Sequence, residues 1–149
     1  NYHSKDSHVM ASLISKFYNA KKKSLPEVIC WGSGSPFREF MHVDDLGDAV
    51  VFALEKWDLQ SSNAPRDEDG MPISFLNIGT GVDISIKDLA EKISNKVNYK
   101  GKIKWDKTMP DGTPKKLLDV SKINKLGWEA SISLNKGIEE TLKIFEEMN

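Results

Sequence analysis

An α/β domain is what this sequence predicts, and three observations predict it. Short apolar or alternating runs ("EVICW", "REFMHV", "ISFLNIG", "KIKW") recur along the chain. Between them stand segments with apolar residues at helical spacing, and no repeat or low-complexity tract interrupts the alternation. The length of 149 residues suits one domain, so residues 1–149 are read as a single unit.

The elements run in order. "SHVMASLISKFYNAKKK" carries Val9, Leu13, Ile14 and Phe17 at helical spacing, with Asp6 or Ser7 as N-cap and lysines at its C-terminal end. "EVICW" reads as a short buried strand, and the Gly/Ser/Pro run after it as a turn. "REFMHV" alternates and reads as a second strand. In "DDLGDAVVFALEKW" the acids stand at the positive helix end, and Leu46, Ala49, Val50, Ala53 and Trp57 form one apolar face. The 58–72 stretch is a flexible loop by composition. "ISFLNIG" reads as a strand, then "SIKDLAEKISNKVN" as a helix with Ser85 and Asp88 in a capping box and Ile86, Leu89, Ile93 and Val97 inward. "KIKW" is a strand, "TMPDGTP" a loop and "SKINKL" a short helix stopped by Gly127. "LNKGIEETLKIFEEM" closes the chain with Ile138, Leu142 and Phe145 inward.

Composition excludes several classes of function. With 29% charged residues and a net charge of −1, the chain lacks the cationic excess that nucleic acid or an anionic membrane surface requires. No apolar run is long enough to span a bilayer. The lone Cys30 has no partner for a disulfide or a cysteine metal site, which fits a reducing, cytoplasmic setting and no metal. Nineteen lysines stand against two arginines, Arg38 and Arg66, so each guanidinium is singled out as a possible forked anion contact. The chain opens on Asn1 and not on Met, which reads as part of something longer.

Two motifs are weighed and set aside. "GSGSPF" lacks a third glycine, Pro36 offers no N–H, and the residues after it are strand-like, so it is a turn and not a phosphate cradle. Tyr18 and Lys22 match the Y-x-x-x-K spacing of short-chain dehydrogenases, but no cofactor loop precedes them. His42, between Met41 and Val43, reads as a structural histidine. His8 stands in the first turn of a helix. Lys16, Trp31, Arg38, Asp111 and Lys116 sit in loops or at element ends. A nucleoside diphosphate takes two or three cations and an apolar plate, which lysine, arginine and indole supply.

Those residues lie in stretches that together resemble a known family. "NYHSKDSHV", "PEVICWGSGSPFREFMHVDDLGDAV", "FLNIGTGVDISIKDLAEKI", "GKIKWDKTMPDGTPKKLLDVSKINKLGW" and "ISLNKGIEETLKIF" are similar to successive stretches of the GDP-L-fucose synthase family. These are GDP-4-keto-6-deoxy-D-mannose 3,5-epimerase-4-reductases, among the extended short-chain dehydrogenases/reductases. Only residues 58–72 depart from the pattern. The resemblance implies the small C-terminal substrate-binding domain of such an enzyme. The Rossmann half, with its NADP(H) loop and Ser-Tyr-Lys set, is absent, and the isolated chain is expected to be inactive. It implies a GDP-sugar substrate and a homodimer of the full-length enzyme.

Position by position, His8 corresponds to the family's proton donor in epimerisation and to a cofactor contact. The family's base partner is a cysteine of the absent half and not Cys30. Lys16 stands where the family has an arginine at the GDP-sugar: the charge is kept and the fork lost. Trp31, Arg38, Asp111 and Lys116 match substrate contacts. The alternatives are the substrate domain of another nucleotide-sugar epimerase or dehydratase, and a stand-alone binding module.

Overall fold

The computed structural model describes residues 8–149, so Asp6 and Ser7, the expected caps of the first helix, lie outside the described residues. Helix α1 (Val9–Lys22) begins after His8, whose extended backbone forms the N-cap without a side-chain hydrogen bond. Then come β1 (Glu27–Trp31), β2 (Phe37–Glu39), α2 (Val43–Lys56), β3 (Asp83–Ser85), α3 (Ile86–Val97), β4 (Lys102–Asp106), β5 (Lys115–Lys116), α4 (Ser121–Leu126) and α5 (Leu134–Glu147). The mixed α/β character is as expected. β1 and β4 pair in parallel, with Glu27 opposite Lys102 and Trp31 opposite Asp106. A second sheet has the order β3–β2–β5.

The contacts cluster into two compact units where the sequence reads as one. Among the described residues, the first holds 8–38, 84–115 and 138–149; the second holds 39–83 and 116–137. In the first, Leu13, Ile14, Phe17 and Ala20 of α1 are buried with Val28 and Cys30 of β1, Leu89, Ala90, Ile93 and Val97 of α3, and Ile138, Leu142 and Phe145 of α5. Tyr99 closes this core: its ring meets Phe17 at 5.7 Å between centroids and its hydroxyl donates to the Leu25 carbonyl at 2.9 Å. The capping box on α3 is present, since Ser85 Oγ accepts from Asp88 N at 3.0 Å and donates to Asp88 Oδ2 at 2.6 Å. Asn98 ends that helix in the left-handed conformation.

The second unit packs Ala49, Val120, Ile123 and Trp128, joined by Met41, Phe52, Leu76, Ile78 and Ala130. The Trp128 indole donates to Asp48 Oδ2 at 2.7 Å, so its polar edge is satisfied. Gly127, at φ 106°, stops α4 as its position predicts.

Four expectations are corrected. β1 is covered on one face only: Val28 and Cys30 point inward while Ile29 and Trp31 are about half exposed. The second strand ends at Glu39, because His42 leaves it to cap α2, its Nδ1 accepting from Asp44 N at 3.3 Å. On α2 the predicted inward face is kept only in part: Ala49 is buried as expected, but Leu46 and Val50 are exposed and Asp45 is buried. The cause is polar. The Asp45 carboxylate accepts from Ser131 N, Ser131 Oγ and Ile132 N, each at 3.0 Å, and this pin turns the helix.

Residues 73–79 form no strand. Leu76 and Ile78 alternate inward, and the Asn77 amide donates to the Asp119 carbonyl at 3.1 Å, but no ladder partner lies among the described residues. The 58–72 stretch is a loop as read, and it carries a tight turn. Asp67 Oδ1 accepts from Asp69 N and Met71 N, Gly70 is left-handed, and Arg66 donates to the Gly70 carbonyl at 2.8 Å. The second arginine is thus spent on the loop itself.

Candidate functional site

Five of the six residues singled out in the sequence belong to the first unit: His8, Lys16, Trp31, Arg38 and Asp111. Lys116, exposed in β5, belongs to the second. Four of the five form one connected string, built on the turn between β1 and β2.

The string starts at Trp31, the last residue of β1, on its uncovered face and 54% exposed. Lys16 reaches across from α1. Its ammonium lies 5.4 Å from the indole centroid and donates to the Ile29 carbonyl at 3.0 Å. A cation over a half-exposed indole is worth about 0.5–1 kcal/mol and fixes the plate more than it stabilises the fold.

Gly32 and Gly34 then adopt φ +78° each, a conformation that only glycine enters freely. Both are also crowded. A Cβ on Gly32 would run into the Asp111 carboxylate, and one on Gly34 would stand 2.8 Å from the Trp105 ring. Between them Ser33 meets Asp111 twice, its backbone N–H on Oδ1 at 2.6 Å and its hydroxyl on Oδ2 at 2.7 Å. These two bonds hold the exposed Asp111 carboxyl below the usual carboxylate range, the backbone N–H contributing most.

The 106–114 loop is tied to the 32–37 turn at both ends. Gly32 N donates to the Asp106 carbonyl at 2.9 Å and Phe37 N to the Pro114 carbonyl at 2.8 Å. Asp106 starts this loop with an Asx-turn onto Thr108, and the Thr108 hydroxyl holds its carboxyl low as well. The string ends at Arg38, whose Nη2 would stand 3.7 Å from a Cβ placed on Gly112. Its Nη1 donates to the Phe37 carbonyl at 2.6 Å, leaving most of the donor fork uncommitted by the bonds seen. A half-exposed indole, an ammonium, a guanidinium and a carboxylate therefore line one turn and one loop. Chemically, that set can stack on a flat or apolar ring, neutralise an anion and accept from hydroxyls or N–H groups.

His8 is exposed at the head of α1 with no cap bond from its side chain. Tyr18 and Lys22 serve packing: the Tyr18 ring meets Phe145 edge-on at 5.3 Å, and the Lys22 ammonium lies 5.8 Å from the Tyr18 centroid. Cys30 is buried, and burial pushes its thiol up against the weaker opposing pull of Lys16, so it makes no ready base. Among the described residues no His/Cys/Asp/Glu group could hold a metal ion, and no helix is long and apolar enough to cross a membrane. The residue that sequence reading missed is Ser33. It lies 78 positions from Asp111, and nothing in a Gly/Ser turn announces that distance.

Known proteins resemble this chain as a whole. Residues 1–64 match the model of the NAD dependent epimerase/dehydratase family. The chain is 42% identical to GDP-L-fucose synthase of Escherichia coli over 148 residues, which is 99% of this chain and 44% of that protein. A GDP-6-OMe-4-keto-L-xylo-heptose reductase from Campylobacter jejuni superposes with a TM-score of 0.86 at 30% identity, covering 100% of this chain and 50% of that one. A GDP-L-fucose synthetase from Naegleria fowleri bound to NADP gives 0.78 at 25% identity over 99% of this chain and 42% of that one. The resemblance read from the motifs thus extends over nearly the whole chain, which spans less than half the length of the curated relative it matches.

Proposed function

We propose that this chain is the GDP-sugar-binding part of an NADP-dependent epimerase-reductase that converts GDP-4-keto-6-deoxy-D-mannose to GDP-L-fucose. The observation that carries the proposal is the string Lys16–Trp31–Ser33–Asp111–Arg38, on a chain 42% identical to a GDP-L-fucose synthase. Each member has a role its chemistry supports. Trp31 is the plate for a base or sugar ring, and Arg38 offers its fork to the diphosphate. Lys16 adds charge beside the plate, and Asp111 accepts from ligand hydroxyl or N–H groups; Lys116, in the second unit, is proposed as a substrate contact on the motif resemblance alone.

His8 is the proton donor of the epimerisation in this reading. The 4-keto group acidifies the C–H bonds at C3 and C5, so their inversion precedes reduction, and an imidazole can return a proton to the opposite face. NADP(H), when bound, supplies hydride for C4. In this reading His8 also contacts it; the sequence has no glycine-rich dinucleotide loop opening a helix, and Tyr18 and Lys22 are packed as structure. The rest of the cofactor seat belongs, on this proposal, to a further domain, and the chain alone is catalytically silent.

The apolar face of α2 supports that division. Val43, Leu46, Val50, Val51 and Leu54 are all exposed, Leu54 by 82%, which is costly to leave in water. A second reading has its own support. The TM-score of 0.86 to a GDP-6-OMe-4-keto-L-xylo-heptose reductase is compatible with a GDP-sugar 4-keto reductase that does not epimerise its substrate.

Calorimetric titration with GDP and UDP tests the binding claim. GDP should bind more tightly than UDP, and Arg38→Ala should weaken GDP about 10- to 100-fold, the worth of a charge-assisted forked contact. Equal affinity for UDP, or an Arg38→Ala variant that binds as the parent does, contradicts it. Product analysis of the two-domain protein with GDP-4-keto-6-deoxymannose and NADPH separates the two readings, since only the first yields GDP-L-fucose.

A further inference from the structure

Resting on the reading of Asp111 as a ligand acceptor, we propose that Ser33 is the positioning residue that aims this carboxylate at the bound GDP-sugar. The geometry is specific. Ser33 occupies one lone pair on each Asp111 oxygen, by N–H at 2.6 Å and by O–H at 2.7 Å. A carboxylate has about four such acceptor sites, so two remain, and Asp111 is exposed, so they are open to a ligand. An unheld aspartate on a loop would sample several rotamers and pay to order one on binding. Here both oxygens are fixed before the ligand arrives.

The direction of the hydrogens extends the network by one residue. Ser33 Oγ and Ser35 Oγ are 2.7 Å apart, and either could donate. The ionised carboxylate can only accept, which commits the single Ser33 hydroxyl proton to Asp111. Ser35 must then donate to Ser33, whose oxygen also accepts from Ser35 N at 3.1 Å. The chain Ser35→Ser33→Asp111 polarises in one direction and ends on the ligand side. Gly32 completes the device, because a side chain there would occupy the place of the carboxylate.

A role in orientation and a role in mere loop stability predict different things. Ser33 lowers the range in which Asp111 titrates, so its hydroxyl also sets the acid limb of binding. The sign is fixed: acceptance needs the ionised form, and affinity falls as pH drops through the Asp111 titration. Removing the hydroxyl moves that fall to higher pH.

The test compares the full chain with Ser33→Ala, Ser33→Thr and Ser35→Ala. The Asp111 carboxyl is followed by carbon NMR titration, and GDP-mannose binding by calorimetry across pH 3.5–7 (about the span around an ordinary aspartate). Ser33→Ala should raise the Asp111 midpoint and weaken GDP-mannose about 3- to 10-fold, the net worth of one ordinary hydrogen bond, since the ligand feels the loss only through Asp111. Ser33→Thr should restore both, and Ser35→Ala should move both by less. The proposal is overturned if Ser33→Ala shifts the titration and leaves affinity and its acid limb unchanged. It is also overturned if affinity falls with no change in the Asp111 titration. A parent chain that does not bind GDP-mannose at all defeats the functional reading instead, a result the binding of the parent alone reveals.

Discussion

Gly32 shows how much a single position can require. Its φ of +78° costs a side-chain-bearing residue about 1–2 kcal/mol, and the space where a Cβ would go holds the Asp111 carboxylate. Gly32→Ala should therefore lower stability by about that amount and displace Asp111, raising its titration as Ser33→Ala does; a thermal melt and the carbon titration measure the two effects. Asp45 makes the opposite case, a charge buried for structure. Desolvation works to raise its pKa, yet the bonds from Ser131 and Ile132, helped by His42, outweigh it and hold the carboxyl low. A carboxyl with a lowered folded pKa stabilises the fold above its unfolded value and loses that contribution as pH falls through the folded one. Asp45→Ala, which strands three donors, should cost about 2–3 kcal/mol at neutral pH and lower Tm by about 5–10 °C. The part of that cost owed to the lowered carboxyl should be lost as pH falls through the folded titration, so the gap between parent and variant melts should narrow in acid; a gap that widens there contradicts the assignment.

Among the elements, α1, α3, α4 and α5 were legible because their apolar periodicity agrees with their burial, and on α3 the cap of Ser85 and Asp88 agrees too. Helix α2 was legible as a helix and misread as to face. Periodicity reads apolar residues as inward, and here a hydrogen-bonded aspartate points in while Leu46, Val50 and Leu54 point out. Both faces of α2 therefore carry something to bury. Leu54→Ser and Val51→Ser should leave the melting of this chain within about 0.5 kcal/mol of the parent, because neither side chain is covered in it. Both should reduce dye binding and self-association. A loss of stability well above that figure would mean that the face is packed. Residues 73–79 were read as a strand for their alternation, but a strand is defined by its ladder, which local sequence does not encode.

At the scale of the molecule, the chain divides into two units, and the string from Lys16 to Arg38 lies wholly in the first. Trp31 and Arg38 could be found by residue type, as an indole and one of two arginines at a turn. Asp111 was singled out by its loop position, and only the motif resemblance gave it a role. Ser33 could not be found at all, since its function is a contact across 78 positions. The proposed site is therefore a surface that only the folded chain assembles. Nitrogen-proton NMR of the labelled chain during titration with GDP-mannose tests it most directly. The largest shifts should fall at the Trp31 indole, Ser33, Gly112 and the Arg38 side chain, with Arg66 and the 58–72 loop unmoved. Shifts centred on the 58–72 loop, or none along the string at saturation, would contradict a GDP-sugar site on this turn.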